Sequence, residues 1–215
     1  GMLYGYVYTG VDPETGDALY LTKDGTSTNT PSSGDRRIIG NPNPDFIYGL
    51  TNTFSYKNFG LSVFLQGSQG NDIYNGTRVE SEGMTDAKNQ TVAVLDRWTT
   101  PGQVTDVPRA MADNIGNSRN STRFVENGSY MRVKSATLSY NLPENLLSKW
   151  KISNVRLYVT GENLFTITNY KGFDPEVNAF TGVNDPTQNK NTFIGIDYGT
   201  YPQTRNVIFG VNVSF

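Results

Sequence analysis

The end of this sequence alternates with a period of two. Val207, Phe209, Val211, Val213 and Phe215 are apolar at odd positions, whereas Gly210, Asn212 and Ser214 between them are small or polar. Successive side chains of a strand point to opposite faces, so such a segment presents one apolar and one polar face. In a soluble domain the terminal residue is usually frayed and has no reason to be a large aromatic. In a barrel spanning an outer membrane the odd face meets lipid and the even face meets a wet lumen. The ring of Phe215 is then expected in the aromatic girdle at the periplasmic interface.

Composition removes several chemistries. The 215 residues include no Cys, hence no disulfide framework, thiol nucleophile or thiolate metal site. They include no His, which removes the commonest general base and the usual zinc ligand. A formal net charge of -2 is no footprint for nucleic acid, which calls for a basic face. The 22 Gly, 13 Tyr and 11 Phe describe a β-rich chain with many turns. The mean hydropathy is -0.48, yet a spanning strand needs only about 9–11 residues with every second one apolar, so a barrel is compatible with it. Gly1-Met2 reads as a tag glycine before an internal start, and a piece of a longer chain is expected.

The patterning predicts an all-β fold of about five antiparallel strands. Residues 45–57 carry Phe46, Tyr48, Leu50, Phe54 and Tyr56 on one phase, and Asn58–Gly60 is read as a short turn into Leu61, Val63 and Leu65. Residues 129–141, 153–166 and 203–215 complete the set. In the third strand Met131 and Val133 lie on the odd phase but Ala136, Leu138 and Tyr140 on the even one. A β-bulge near Lys134-Ser135 would reconcile them. The connection 142–152 is expected to hold one short helical turn with Pro143 at its first position.

Two domains follow from the connections: a region 1–44 with short strands, including Ala18–Leu21, and a region 45–215 with long loops at 71–128 and 169–202. Short and long connections alternate strictly. In a barrel that is the pattern of short periplasmic turns and long extracellular loops.

Several motifs together resemble one family. They are Tyr4–Tyr6, Asp12–Asp17, Asp35–Phe46, Phe54–Phe59, Asp96–Trp98, Ser121–Arg132, Gly161–Phe165 and Gly172–Glu176. In this order, and over nearly the whole length, the sequence is similar to the C-terminal region of SusC/RagA-type TonB-dependent transporters of the Bacteroidetes outer membrane. The resemblance implies a multi-pass barrel of the plugged 22-strand class, of which this chain supplies the last strands, and it implies the lipid bilayer as surroundings. It further implies import of glycans or peptides, driven by the TonB complex through a missing N-terminal part and covered by a SusD-like surface lipoprotein. The fragment alone is not expected to transport. Relatives often carry an aspartate-rich, calcium-loop-like run where residues 23–34 here are nearly stripped of carboxylates, so no metal is expected there. No cofactor is expected either.

Trp98, Tyr170, Phe173, Tyr198 and Tyr201, with Tyr74, lie on the long loops. A flat apolar face with a polar rim suits a sugar ring, so they are candidate substrate contacts; equally, they can pack loops together or meet a lid protein. Arg132, Lys134, Arg156 and Glu162 form either a lining of the transport path or cross-strand pairs. Asp174 and Glu176 are a carboxylate pair of the kind glycosidases use, but beside Pro175 they suit a turn better, and no enzyme is expected. Phe215 carries the expected barrel-assembly signal. The competing fold is a secreted carbohydrate-binding β-sandwich, which buries its apolar faces between two sheets. Because five strands cannot close a barrel, an isolated fragment is expected to curl its sheet over its own loops or to pair with a second copy.

Overall fold

The structure is a computed structural model describing residues 1–113, 115–148, 152–177 and 194–215. In chain order its strands are β1 (Leu3–Gly5), β2 (Tyr8–Val11), β3 (Ala18–Leu21), β4 (Ser27–Thr28), β5 (Arg37–Gly40), β6 (Phe46–Tyr56) and β7 (Phe59–Gln69). They continue with β8 (Asp72–Asn75), β9 (Val125–Asn127), β10 (Tyr130–Asn141), β11 (Asn154–Thr168), β12 (Ile196–Asp197) and β13 (Asn206–Ser214). Two short helices, α1 (Gly76–Glu82) and α2 (Glu144–Leu147), interrupt them. The chain forms two compact units. Gly1–Pro44, Asn71–Gly128 and Tyr170–Thr200 make a loop unit; Asp45–Gly70, Ser129–Asn169 and Tyr201–Phe215 make a sheet unit.

The five period-two segments pair as one antiparallel sheet in the order β13-β11-β10-β7-β6. Register puts the apolar phases on one face, with Phe54, Leu61, Leu138, Val159 and Phe209 in one cross-strand row. The other face is polar and bonded across strands. Thr137 and Thr160 hydroxyls lie 2.8 Å apart, Arg156 Nη2 donates to Ser139 Oγ at 3.2 Å, and Arg132 Nε donates to Thr166 Oγ1 at 2.8 Å. Asn206 Nδ2 donates to the Glu162 carboxylate at 3.1 Å. Arg132, Arg156 and Glu162 thus act as cross-strand partners here.

The bulge lies where the phase change requires it. On β7, Leu65 and Phe64 are consecutive opposite Val133 and Ser135, which leaves Lys134 as the extra residue. On β11 the same pair faces Phe165 and Glu162, so Asn163 and Leu164 are interposed there, with Asn163 at φ 51°. The one extra residue moves the apolar set of β10 from odd to even positions, the two on β11 leave its apolar set on odd positions, and both stretches stay on a single face.

Three details depart from the sequence reading. The first hairpin turns on Lys57 and Asn58, with Lys57 at φ 50° and Tyr56 already paired to Phe59; a two-residue loop matches strand twist, so Phe59 and Gly60 are drawn into β7. Pro143 is the N-cap of α2 with ψ 139°, one position before the helix rather than in it. The sheet is also not folded away from solvent: Phe209 is 80%, Val211 60% and Phe215 92% exposed. A sandwich would bury this row. An open sheet of five strands exposes it instead.

That unit is built from a β2-β3-β4 sheet, a β1-β5 pair, and a β12-β8-β9 sheet in which β12 runs parallel to β8. Tyr6, Ala18 and Tyr20 form a buried cluster against Tyr8, with the Tyr6 and Tyr20 ring centroids 5.7 Å apart. Tilted aromatic pairs of this kind let a small core bury a large area.

Candidate functional site

The loop unit concentrates its charges around α1. Asn75 caps the helix by accepting from Arg78 N at 3.0 Å, satisfying one of the free helix N–H groups. Arg78 then clamps Glu82 through Nε and Nη2 at 2.9 and 2.8 Å, and reaches Glu126 Oε1 through Nη1 at 2.7 Å. The forked geometry makes this a strong, directional pair. Glu126 Oε2 in turn accepts the Lys171 backbone N–H at 2.8 Å, so one carboxylate fastens the start of the 170–200 segment to α1.

Tyr170 follows on that anchor. Its hydroxyl donates to the fully buried carboxylate of Asp197, which also accepts Thr200 N at 3.0 Å. Burial, reinforced by that bond, pushes the phenol far above its usual pKa, so it stays a neutral donor. Among the other aromatics singled out in the sequence, Trp98 lies over Gly16 and donates to Pro13 O at 2.8 Å. Tyr74 donates to Asn120 Oδ1 at 2.8 Å, and Tyr198 donates to Glu80 Oε1 at 2.6 Å. Phe173 and Tyr201 are 71% and 81% exposed; Tyr201 belongs to the sheet unit and the others to the loop unit. Asp174 Oδ1 accepts Glu176 N at 2.9 Å, the geometry of an Asx turn.

Among the clefts of the loop unit, two are each lined by a pair of arginines. The wider, about 600 Å³, is lined by Tyr8, Arg78, Glu82, Arg123 and Glu126 among others. Burial pushes the Tyr8 phenol up to about 12, and also lowers the Arg123 guanidinium from its ordinary value.

The narrower cleft, about 320 Å³, lies beside Tyr4 and Tyr6 and includes Arg36, Glu80, Lys88 and Arg119. The guanidinium carbons of Arg36 and Arg119 stand 5.3 and 5.8 Å from the centre of the Tyr6 ring. Three segments are stitched together to hold them: Tyr6 N donates to Asn120 O at 2.9 Å, Thr122 N donates to Tyr6 O at 3.0 Å, and Gly5 pairs with Arg37. A side chain at position 5 would meet Asn120 O at 2.5 Å, so the close approach of β1 to this loop demands glycine. Sequence reasoning passed over both arginines. The available signal was that Arg36 lies inside, and Arg119 just before, motifs already singled out.

No family model matches the sequence. It is 40% identical over 230 aligned residues to TonB-dependent receptor P3 of Formosa agariphila, covering 100% of this chain and 22% of that protein. It is 30% identical over 222 residues to TonB-dependent receptor SusC of Bacteroides thetaiotaomicron, covering 98% of this chain and 19% of that one. The structure of the RagAB peptide transporter superposes with a TM-score of 0.82 at 26% identity, over 100% of this chain and 23% of the neighbour. The chain therefore spans about a fifth of the length of the curated relatives it matches. With this identity, the shared fold and the barrel-type alternation of its sheet, the chain belongs to the TonB-dependent receptors of the SusC/RagA type.

Proposed function

We propose that this chain is the C-terminal barrel portion of an outer-membrane importer that takes up glycans, driven by the TonB complex and covered by a SusD-like lipoprotein. One observation carries the reading. The five-stranded sheet has an exposed apolar face and a hydrogen-bonded polar face, as a wall between lipid and a wet lumen requires.

Connectivity agrees. The Lys57-Asn58 turn, the α2 connection and Phe215 are at one end of the sheet, while the segments that enter the loop unit all leave from the other. The first end is periplasmic on this reading, and Tyr56, Phe59 and Tyr140 join Phe215 in its aromatic girdle; the Phe59 and Tyr140 rings are 4.7 Å apart. The loop unit is then extracellular. Phe173, Tyr198 and Tyr201 remain the aromatics with exposed faces for stacking on sugar, and Phe215 is the signal read by the barrel-assembly machinery.

The test uses the full-length receptor. Folded barrel should migrate faster than heated protein in detergent gels, a surface lipoprotein should co-purify, and deletion of the gene should stop growth on one class of glycan. Growth lost on peptides and kept on glycans would reverse the substrate; absence of a heat-modifiable form would overturn the barrel itself.

A further inference from the structure

The narrow cleft of the loop unit holds an imbalance of charge. Its lining carries three cations, Arg36, Lys88 and Arg119, against one carboxylate, Glu80, in a chain whose net charge is -2. Glu80 is already committed. It accepts from Lys88 and from the Tyr198 hydroxyl, and those bonds hold its carboxyl below the usual range.

Lys88 is neutralised in the same way, pairing with Glu80 and, at 2.9 Å, with Asp86. What remains is the pair Arg36 and Arg119. Among the described residues neither has a carboxylate within ion-pair distance, and Arg119 Nε is buried without a hydrogen-bond partner. A buried donor left unbonded is costly and rare in folded proteins, and on a charged group the cost is larger. The backbone bonds between residue 6 and residues 120 and 122 fix the loop that carries Arg119. Two guanidinium groups held at one aromatic ring line this cleft with no carboxylate beside them among the described residues, a setting suited to an oxyanion.

We infer that this cleft binds the anionic group of a charged glycan, a uronate carboxylate or a sulfate ester. The inference rests on the import reading and names the class of glycan. Tyr4 favours a sugar over a peptide. Its hydroxyl donates to Arg36 O at 3.1 Å, which holds the ring at the cleft, and the side chain is 61% exposed. A flat apolar surface beside fixed positive charge matches a pyranose ring with its acidic substituent, whereas an acidic peptide side chain brings charge on a flexible stem.

The test is calorimetric titration of the full-length receptor at low ionic strength. The probes are a galacturonate oligosaccharide, a sulfated galactose oligosaccharide, the neutral galactose oligosaccharide of equal length, and a glutamate-rich peptide. One or both acidic sugars should bind, and Arg119→Gln and Arg36→Gln should each weaken that binding roughly tenfold or more without changing any binding of the neutral sugar. Added salt should weaken the unsubstituted receptor more than either variant.

Unchanged affinity for the acidic sugars in both variants, or no binding of either acidic sugar by a correctly folded receptor, overturns the inference and leaves import standing. Arginine dependence confined to the peptide overturns the glycan assignment. A melting temperature lowered by Arg119→Gln with affinity intact would mean that Arg119 pairs with an acidic group elsewhere in the whole receptor, which also overturns it. Should Arg119→Gln fail to assemble, the exposed Arg36 is read alone, since its replacement removes one of the two charges without emptying a buried site.

Discussion

The indole of Trp98 lies directly on Gly16, so closely that a Cβ at residue 16 would come within 2.4 Å of the ring, while Nε1 donates to Pro13 O at 2.8 Å. The whole 96–109 segment wraps the 12–17 turn: Gly102 N donates to Pro13 O, Arg109 N to Gly16 O, and Arg109 Nε to Asp17 at 2.7 Å. Trp98→Ala should cost about 2 kcal/mol of local stability through lost ring contacts. Gly16→Ala should cost about 1–2 kcal/mol, because residue 16 sits at φ +74° and the added methyl meets the ring. The double variant should cost less than the sum, since removing the indole removes the clash. Amide-exchange protection across residues 12–17 measures all three.

The register of the sheet depends on a single residue. Deleting Lys134 would place Met131 and Val133 on the polar face while Ala136, Leu138 and Tyr140 stay on the apolar one, and such a slip exchanges faces for half a strand. The deletion should abolish the heat-modifiable form of the full receptor, whereas Lys134→Ala, which keeps the extra residue, should leave it intact. The matching insertion on β11 relies on Asn163 at φ 51°. Asn163→Gly should be tolerated, and Asn163→Val should cost about 1–2 kcal/mol of barrel stability.

Much of the sheet was legible in the sequence because its physics is local. A period of two reports strand faces directly, and an inserted residue near Lys134 reconciles the phase break. The loop unit was far less legible. Its segments meet through contacts distant in sequence, such as Tyr6 with Asn120 and Lys171 with Glu126, and nothing in local patterning announces those partners. For the same reason the loop aromatics looked alike in sequence. Only the structure separates Tyr170, sealed against Asp197, from Phe173, which is open to solvent. The pairing of the two arginines at Tyr6 could not be read from the motifs, because residues 36 and 119 become neighbours only after β1, β5 and the loop before β9 have come together.

Asp35 gives the loop unit an acid limit. Its carboxylate accepts from Ser32 Oγ at 2.8 Å, Lys23 N at 2.8 Å and Ser32 N at 2.7 Å, and these bonds, the Ser32 hydroxyl foremost, lower its pKa below the ordinary 3.8. A carboxyl depressed in the folded state binds fewer protons there than in the unfolded chain. Its contribution is therefore complete above pH 3.8 and is lost as pH falls through the lowered folded value. Exchange protection at Lys23 and Ser32, corrected for intrinsic rates, should hold from neutral pH down to about 4 and fall below it. Asp35→Asn should show reduced protection at neutral pH and no further acid loss, since its amide does not titrate.

Val211 and Asn212 are adjacent in β13 and face opposite ways: Val211 pairs with Leu157 in the apolar row, and Asn212 pairs with Arg156 in the polar one. If the sheet separates lipid from lumen, equal charges introduced at these neighbours must have unequal effects. An arginine in place of Val211 would be carried into hydrocarbon, at a cost of roughly 2–4 kcal/mol near the bilayer midplane. An arginine in place of Asn212 stays in a hydrated interior, where the main expense is proximity to Arg156. Refolding of the full receptor into lipid vesicles, followed by denaturant titration, should therefore place Val211→Arg well below Asn212→Arg. Raising the ionic strength should rescue part of the Asn212→Arg loss, because repulsion between hydrated charges is screened. It should leave Val211→Arg unmoved, because salt does not reach a charge buried in the bilayer. Equal losses at the two positions would mean that both faces meet the same solvent and that the sheet is not a membrane wall.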